Sequence, residues 1–424
     1  MGLRDRKWIL PGVAGAVVGA LLATLAIWQW PDGADSDGLE PGELRVLTGA
    51  DESPGRWREA LVDLWNAEHP GSPARLVELN QAADAQRSQM VNDAKADSDT
   101  DVYLLDVPML AEFADPPGED PYIQALDQTL LPPDFLDGFL AKPLESCRYQ
   151  DPATLWALPF NTDAGLLFYR SDLVKQPPAV WDQIVPTAQQ VAPEMAAYVT
   201  QLQDYEGLAV NALEAIWAEG GDVTDGDTVV ATADMMSRGI RRLIPTGPGT
   251  MHPGARGFDE TTSSEAFAGG EAVFMRNWPV QYSKLLSNDD VAKAKRVEFE
   301  VAALPGPSVL GGQNLAIAND TEQPRAAQAF IQFMTQESSQ LLLARYGGFA
   351  STRERPYQDA ATRERYPYLP VLRTAIDQAK LRPVTPYYER FTAVFRAVVT
   401  ETMDNGGQPP ADFAERLTAA LRGR

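Results

Sequence analysis

Strand and helix patterns alternate near the start of the main body of the chain, and this order constrains the fold more than any other feature. Leu44–Thr48, Leu76–Leu79 and Val102–Leu105 have the short apolar pattern of strands. Between them, one helix is predicted to start near Ser53–Pro54 and a second, more polar helix covers 82–95. Strands that alternate with helices form a parallel sheet covered by helices, so the pattern predicts an α/β fold.

The length of the chain predicts more than one compact body. The chain has 424 residues, whereas a single hydrophobic core usually stops growing at about 250–300 residues. Hydrophobic residues make up 44% and charged residues 22%, which is an ordinary globular balance. We therefore expect a folded body that is divided into two lobes.

Charge and reactive residues exclude several classes of function. The net charge of −23 repels phosphate backbones, so nucleic acid is not expected as a partner. Cys147 is the single cysteine, and His69 and His252 are the two histidines, too few for a cysteine- or histidine-based zinc site or a catalytic triad. Nucleotide-binding and hydrolase motifs are absent. The abundant carboxylates leave room for a glycosidase-like acid/base pair, but no local pattern marks one. We predict no enzyme activity, cofactor or metal.

The N-terminus predicts a membrane anchor. Residues 1–7 contain three basic side chains, and residues 8–30 carry no charge. About 23 residues at ~1.5 Å each extend ~34 Å, enough for a hydrocarbon layer of ~30 Å. The basic flank predicts a cytoplasmic stub (1–7), a single transmembrane helix (8–30) and a body on the extracytoplasmic side. Residues 31–42 then form a flexible spacer. A cleaved signal peptide is the alternative, with Thr24 and Ala26 as weak cleavage-site residues.

Four loops at predicted strand ends combine polar and aromatic residues. They are Leu155–Arg170, Gly269–Tyr282, Pro305–Ala318 and Arg382–Tyr388. Sugars present hydroxyl groups around an apolar ring face, and a buried site has to satisfy each hydroxyl while covering that face. Acidic, amide, guanidinium and aromatic side chains in these loops are suited to such a ligand.

Taken in order, these segments resemble the extracellular solute-binding proteins of ABC importers, in the branch that includes maltose- and trehalose-binding proteins. The resemblance runs over nearly the whole body from Leu44 onward. It is carried by seven strings: WNAEHPG, DVYLLDVP (Asp101–Pro108), LPFNTDAGLLFYRSDLV (Leu158–Val174), FAGGEAVFMRNWP (Phe267–Pro279), LPG…GGQNLAIA (Leu304–Ala318), AFIQFMTQESSQ (Ala329–Gln340), and GGFASTR followed by RPVTPYY.

The resemblance implies a two-lobed, type II periplasmic-binding-protein-like fold with hinge strands. The N-lobe would comprise 43–160 plus 272–312, and the C-lobe 165–268 plus 316–424. Chain crossings would fall near Leu158–Tyr169, Phe267–Trp278 and Gly312–Ala318. A ligand would bind in the cleft between the lobes, as expected at the switch points of open α/β sheets.

The resemblance and the loop pattern together identify six candidate ligand-binding residues: Asp106, Asn161, Asp163, Trp278, Asn314 and Arg382. Trp278 would be the stacking aromatic. Pro279 stops ladder pairing after it, and the polar neighbours Arg276 and Asn277 favour a cleft over a core. Structural roles remain open: Trp278 as core filler, Asp163 and Asp106 as caps, Arg382 in an ion pair.

The implied function is capture of a sugar-like small molecule, without a cofactor, by a monomer that works with ABC permease subunits. A membrane-anchored sensor that uses the same cleft is the alternative. Two features depart from the family pattern. Gln313 stands where sugar binders of this branch often carry an aromatic, and no cysteine follows the apolar segment for lipid attachment.

Overall fold

The structure is a computed structural model that describes residues 38–424, apart from 52, 54, 80–82, 97, 248 and 288–296. The predicted stub (1–7), the predicted anchor (8–30) and most of the predicted spacer lie outside the described residues. No helix within the described ranges has the length and hydropathy needed to cross a bilayer. Residues Glu40–Arg424 form one compact unit, and the fold described below is the fold of this unit.

The strands, in chain order, are β1 (Leu44–Gly49), β2 (Ala74–Leu79), β3 (Val102–Asp106), β4 (Ile123–Gln124), β5 (Leu158–Ala164), β6 (Leu166–Arg170), β7 (Ala196–Val199), β8 (Thr224–Asp225), β9 (Thr228–Val229), β10 (Ala272–Asn277), β11 (Phe299–Ala303) and β12 (Leu310–Ala318). The predicted strands at 44–48, 76–79 and 102–105 correspond to β1, β2 and β3. The α/β prediction is therefore confirmed.

The helices, in chain order, are α1 (Trp57–Glu68), α2 (Ala83–Lys95), α3 (Leu110–Ala114), α4 (Ala141–Glu145), α5 (Ile184–Val191), α6 (Glu206–Trp217), α7 (Ala233–Arg241), α8 (Glu260–Ala268), α9 (Val280–Ser287), α10 (Pro324–Thr335), α11 (Glu337–Leu342), α12 (Arg355–Gln358), α13 (Ala360–Arg365), α14 (Leu369–Gln378), α15 (Tyr388–Asp404) and α16 (Phe413–Leu421). Helix α1 begins three residues after the predicted Ser53–Pro54 start. The Ser53 hydroxyl accepts a hydrogen bond from the Trp57 amide at 3.0 Å and so still caps this end.

The first lobe is built on a sheet with the order β2-β1-β3-β12, and β4 and β5 pair with the other edge of β12. Strand β1 is parallel to β2 and β3, whereas β12 is antiparallel to β3, β4 and β5. Buried residues such as Val46 and Leu104 form its core. Helices α1 and α10 meet over this lobe, where Trp65 packs edge-on against Phe330 with ring centroids 5.5 Å apart.

The second lobe is built on a sheet with the order β11-β6-β10-β7. Strand β6 is antiparallel to both β10 and β11, and β10 is parallel to β7. Helices α6, α7, α15 and α16 pack together in this lobe. Their buried side chains, including Leu213, Ile240 and Phe395, share one core with Phe274 of β10.

Strand pairing corrects the predicted division of the chain. Residues 272–312 were assigned to the first lobe, but β10 and β11 pair in the second sheet. Residues 316–424 were assigned to the second lobe, but β12 pairs in the first sheet and α10 packs against β5 and β12. The predicted crossing at Phe267–Trp278 is therefore internal to the second lobe. An apolar buried strand pairs equally well in either sheet, so its sequence does not reveal which sheet it joins.

The chain crosses between the lobes at three closely spaced points, and the third is the segment 379–387 that leads from α14 to α15. Gly165 separates β5 from β6, and residues 304–309 connect β11 to β12. Lys380 lies beside the second crossing, since its amide donates to the Ser308 carbonyl and its carbonyl accepts from the Leu310 amide, both at 2.8 Å. Residues of α14 pack against side chains of β6 and β12 at this junction. The predicted crossing at Leu158–Tyr169 agrees with the structure.

Candidate ligand cleft

A cavity of about 440 Å³ lies between the two lobes, close to the crossings. This volume falls within the range of about 300–1,000 Å³ typical of small-molecule sites. The first lobe contributes the ends of β3, β5 and β12, and the second lobe contributes the N-terminus of α6, the segment after β10 and the segment before α15. Five of the six predicted residues line it: Asp106, Asn161, Asp163, Trp278 and Arg382.

The floor of the cleft is one row of residues across three strands. Gln313 of β12 is paired with Asp106 of β3 on one side and with Asn161 of β5 on the other. Because side chains alternate along a strand, Asp163 faces the cavity two residues after Asn161. The floor therefore presents two carboxyl groups and two amides. Gln313 is the residue that departs from the aromatic of the family pattern.

Asn314 does not reach the cavity, and its position corrects the prediction that it contacts ligand. It is 1% exposed, and its amide nitrogen donates to the carbonyl and the hydroxyl oxygens of Ser146 at 3.3 and 3.2 Å. A register shift in the pairing with β5 falls between Gln313 and Asn314. Strand alternation then puts Gln313 on the cleft face and Asn314 inside the first lobe.

Arg382 joins the two lobes by a buried pair of contacts. One guanidinium nitrogen lies 3.1 Å from Asp106 of the first lobe, and another donates to Glu206 of the second lobe at 2.8 Å. Tyr388 and Thr392 also donate to Glu206. Burial raises the pKa of Asp106, while the charge of Arg382 opposes this rise. The ion-pair role left open for Arg382 is thus present in the structure, at the wall of the cleft.

Buried polar atoms on the cleft wall that lack a hydrogen-bond partner among the residues that the structure describes include Oδ1 of Asn161, an acceptor, and Nε of Arg382, a donor. The amide nitrogen of Asn161 lies 3.5 Å from Asp163. Burial raises the pKa of Asp163 to about 7, with a further rise from the nearby charge of Asp106. Unsatisfied buried groups are costly, so this wall is suited to a ligand that supplies both a donor and an acceptor.

Trp278 of the second lobe forms an aromatic plate at the cavity, with its ring close to Gly311 of the floor strand β12. Its ring is partly exposed, and its Nε1 donates to Glu260 at 3.3 Å. The expectation about its neighbours was wrong, because Arg276 and Asn277 are both 0% exposed. Asn277 donates to the Glu260 carbonyl at 3.0 Å, and Arg276 packs against the indole ring.

Sequence reasoning did not identify Glu206 and Glu260 as cleft residues. Each is the first residue of its helix, α6 and α8. Acidic residues are favoured in the first turn of a helix. A Glu at a predicted helix start, close to one of the aromatic loops, was therefore the sequence signal that could have identified these two residues. No three or more His, Cys, Asp or Glu side chains in the described ranges are grouped to hold a metal ion.

The geometry defines the class of protein. Two α/β lobes are joined by crossing segments and have a polar and aromatic cleft between them, which is the architecture of a solute-binding protein. Residues 61–370 match the family described as bacterial extracellular solute-binding protein, and the chain belongs to this family. It is therefore a solute-binding protein and not an enzyme, which confirms the family and the solute-binding role predicted from the sequence. The family is extracellular by its description.

Individual relatives agree with this assignment. A "Probable ABC transporter-binding protein" of Deinococcus radiodurans is 28% identical over 399 residues, which cover 86% of this chain and 90% of the relative. The structure of maltose-bound MalE3 of T. maritima superposes with a TM-score of 0.76 at 26% identity, covering 90% of this chain and 99% of that one. The GacH receptor of Streptomyces glaucescens has a TM-score of 0.74 at 20% identity, over 91% of this chain and 98% of that one, and shares the fold.

Proposed function

We propose that this chain captures a neutral carbohydrate in the interlobe cleft and delivers it to an ABC importer. The observation that carries the proposal is the pairing of a partly exposed Trp278 ring with a floor of amide and carboxyl groups. A saccharide has an apolar ring face that suits the plate and hydroxyl groups that suit the floor. The similar protein MalE3 was solved with maltose bound.

A hydroxyl group donates through its hydrogen and accepts through its oxygen. It therefore suits both kinds of unpartnered atom, the acceptor Oδ1 of Asn161 and the donor Nε of Arg382. The carboxyl of Asp163 offers a further acceptor when it is ionised. A carboxylate group has no hydrogen to donate to Asn161, and an ammonium group has no lone pair to accept from Arg382. A polyhydroxylated ligand is therefore favoured over an anion or an amine.

The charges of the cleft also disfavour an anionic ligand. Six carboxylate residues line the cavity: Asp84, Asp106, Asp163, Glu206, Glu260 and Glu389. Four arginines line the cavity. Arg87, Arg382 and Arg396 are each paired with carboxylates, and Arg58 donates to the Thr48 hydroxyl and the Gly49 carbonyl. An anionic ligand would be repelled by the carboxylates, and it would have to displace the existing partners of the arginines.

Residues 8–30 supply the proposed attachment to the membrane. Their uncharged sequence and the basic residues before them support an uncleaved anchor, with the body outside the cytoplasmic membrane. Intact mass of the mature protein, together with cell fractionation, tests this part. A soluble product that starts near Ile27 would contradict the anchor.

A thermal-shift screen tests the proposed ligand class. The panel contains neutral mono- and oligosaccharides including maltose, sugar phosphates, uronic acids and amino acids. A ligand present at about 100 times its dissociation constant adds about 2.7 kcal/mol of stability, so binders raise the melting temperature clearly. We expect neutral saccharides to stabilise the protein. Stabilisation by the anionic sugars or the amino acids alone, or by no compound in the panel, would overturn the proposal.

A further inference from the structure

Arg276 occupies a position between the ligand plate and the interior of the second lobe. Its guanidinium carbon lies 3.8 Å from the centroid of the Trp278 ring, in a cation–π contact. The side chain is completely buried and is held by Glu214 of α6 through two hydrogen bonds, Nε to Oε2 at 2.9 Å and Nη2 to Oε1 at 2.7 Å. A planar guanidinium gripped at two points has a fixed orientation, so the surface under the indole is rigid.

Glu214 also reaches the crossing between β11 and β12. Its Oε1 accepts from the Val309 amide at 3.0 Å and from the Ser308 hydroxyl at 3.1 Å. The same Ser308 hydroxyl oxygen accepts from the amide of Gly165, which is the crossing between β5 and β6. A continuous set of contacts therefore runs from Trp278 through Arg276 and Glu214 to two of the three crossings.

Gly165 makes this arrangement sterically possible. A Cβ atom at this position would lie 2.7 Å from both Nε and Nη2 of Arg276. The backbone of Gly165 is not in the left-handed region, so an alanine here would be opposed by the guanidinium and not by its own backbone. The first crossing is thus packed directly against the group that supports the plate.

We propose that Arg276 and Glu214 are positioning residues that fix the plane of the Trp278 ring and tie it to the crossings about which the lobes rotate. The ring would then already have the orientation needed for stacking before a ligand binds. Movement of the ring would displace Gly165 and Val309 through Arg276 and Glu214. The inference rests on the proposed function only for the statement that Trp278 touches the ligand. The mechanical connection can be measured without any ligand.

The first experiment uses the ligand-free protein and displaces the guanidinium without changing charge. Gly165→Ala and Arg276→Lys are compared with the control Gly257→Ala, where an added Cβ meets nothing within 4 Å. The readout is the indole N–H signal of Trp278 in nitrogen-15 NMR, assigned by its loss in Trp278→Phe. We expect this signal to shift and broaden in both test variants and to stay unchanged in the control. An unchanged signal in both test variants would overturn the positioning role.

A second readout tests the connection in the opposite direction. In Trp278→Ala, hydrogen exchange at the Val309 and Gly165 amides should accelerate, because loss of the ring frees the guanidinium that holds Glu214. Trp65→Ala, which removes a buried tryptophan of the first lobe, is the control and should not accelerate exchange selectively at these amides. Equal acceleration in both variants would mean general loosening and would contradict the proposed connection.

Binding measurements separate this inference from the proposed function, with maltose and the other neutral saccharides of the screen as probes. Arg276→Met combined with Glu214→Gln leaves no unpaired buried charge, a replacement that proteins often tolerate. For any probe that binds the wild type, we expect about tenfold weaker affinity, because the indole ring is no longer held in the plane that stacking on the ligand requires. Affinity within twofold of the wild type in this folded variant would overturn the inference and leave the function intact. Absence of wild-type binding to every probe would count against the function, while the NMR and exchange results still decide the inference.

Discussion

At the scale of single residues, a substitution of Trp278 can distinguish a role in ligand binding from a role in core packing. The residues before it are fully buried, yet its own ring reaches the cavity. Its environment is therefore that of a plate fixed on the edge of a core: supported below by Arg276, held at its nitrogen by Glu260, and open to the cleft. Binding energy and folding energy should respond differently to its removal.

Replacing Trp278 with alanine should weaken saccharide binding by about 2–4 kcal/mol, as for other aromatic anchors. The loss of unfolding free energy should be smaller than the about 3–5 kcal/mol expected for a core tryptophan. Calorimetric titration and chemical denaturation of one variant measure both. Trp65→Ala, a buried tryptophan remote from the cavity, should show the reverse ranking. Normal binding by Trp278→Ala would remove this residue from the site.

Asp163 should make stability depend on pH. Burial raises its pKa to about 7 in the folded protein, whereas an unfolded aspartate has a pKa of about 3.9. The folded state therefore holds a proton that the unfolded state has lost between these values. Its favourable contribution is complete below the unfolded pKa and is lost as the pH rises through about 7.

The test compares the unfolding free energies of wild type and Asp163→Asn from pH 5 to pH 8. The wild type should lose stability relative to the variant as the pH rises. Asp359→Asn serves as the control: hydrogen bonding by Thr362 and the contact with Arg345 lower the pKa of Asp359 to about 2. Its contribution changes only below the tested range. A wild-type-minus-Asp163→Asn difference that stays constant across the range would contradict the expected titration.

The family resemblance and the loop pattern together predicted Asp106, Asn161, Asp163, Trp278 and Arg382, and these five residues line one cavity. The same signals were insufficient for Asn314, because the local register shift next to Gln313 decides which of two adjacent polar residues faces the cleft. Such an irregularity depends on the partner strand and has no signature in β12 alone.

At the scale of elements, β12 forms the centre of the floor and depends on one glycine. Gly312 has a φ of 113°, and a Cβ atom there would lie 2.2 Å from the Asn161 carbonyl oxygen. Both the backbone conformation and the close approach of β5 require glycine. The neighbouring Gln313 is thereby placed between Asp106 and Asn161.

Gly312→Ala should lower the unfolding free energy by more than about 1 kcal/mol, since alanine strains the backbone and separates β12 from β5. Denaturant unfolding measures this change. Gly71→Ala is a suitable control because its backbone φ is not positive and an added Cβ there meets nothing within 4 Å. Equal stability of the two variants would show that the floor tolerates a side chain at this point.

The individual strands were predictable, but their assignment to lobes was not. The apolar runs that became β1, β2 and β3 alternate with helices in one local unit, so their pairing follows from chain order. Strands β10 and β12 join their sheets after long intervening segments, and β12 returns to pair with β3. Pairing between segments so distant in the chain is decided by tertiary packing and not by either strand's composition.

At the scale of the whole molecule, contacts across the mouth of the cleft connect α2 of the first lobe to α15 of the second. Arg87 lies 2.7 Å from Glu389, and Arg396 lies 3.0 Å from Asp84. The carboxylate side chains of these pairs are 62% and 48% exposed. Exposed pairs contribute only about 0–1 kcal/mol each, so these two pairs add little to the contact between the lobes.

The lobes are joined by the three crossings, by the contacts of Arg382 with Asp106 and Glu206 and by weak surface pairs. They should move as rigid bodies about the crossings. A saccharide that contacts Trp278 on one lobe and Asn161 on the other favours the closed arrangement by its difference in affinity for the two forms. Capture in the cleft and closure of the lobes are therefore one process, and the central claim is that a neutral saccharide drives it.

Small-angle X-ray scattering tests this claim most directly. The radius of gyration is measured without ligand and at saturation with the neutral saccharide that stabilises the protein most in the thermal screen. We predict a smaller radius of gyration for the saturated protein, and no such decrease for Trp278→Ala at the same saccharide concentration. An unchanged radius of gyration of the saturated wild-type protein would contradict the account.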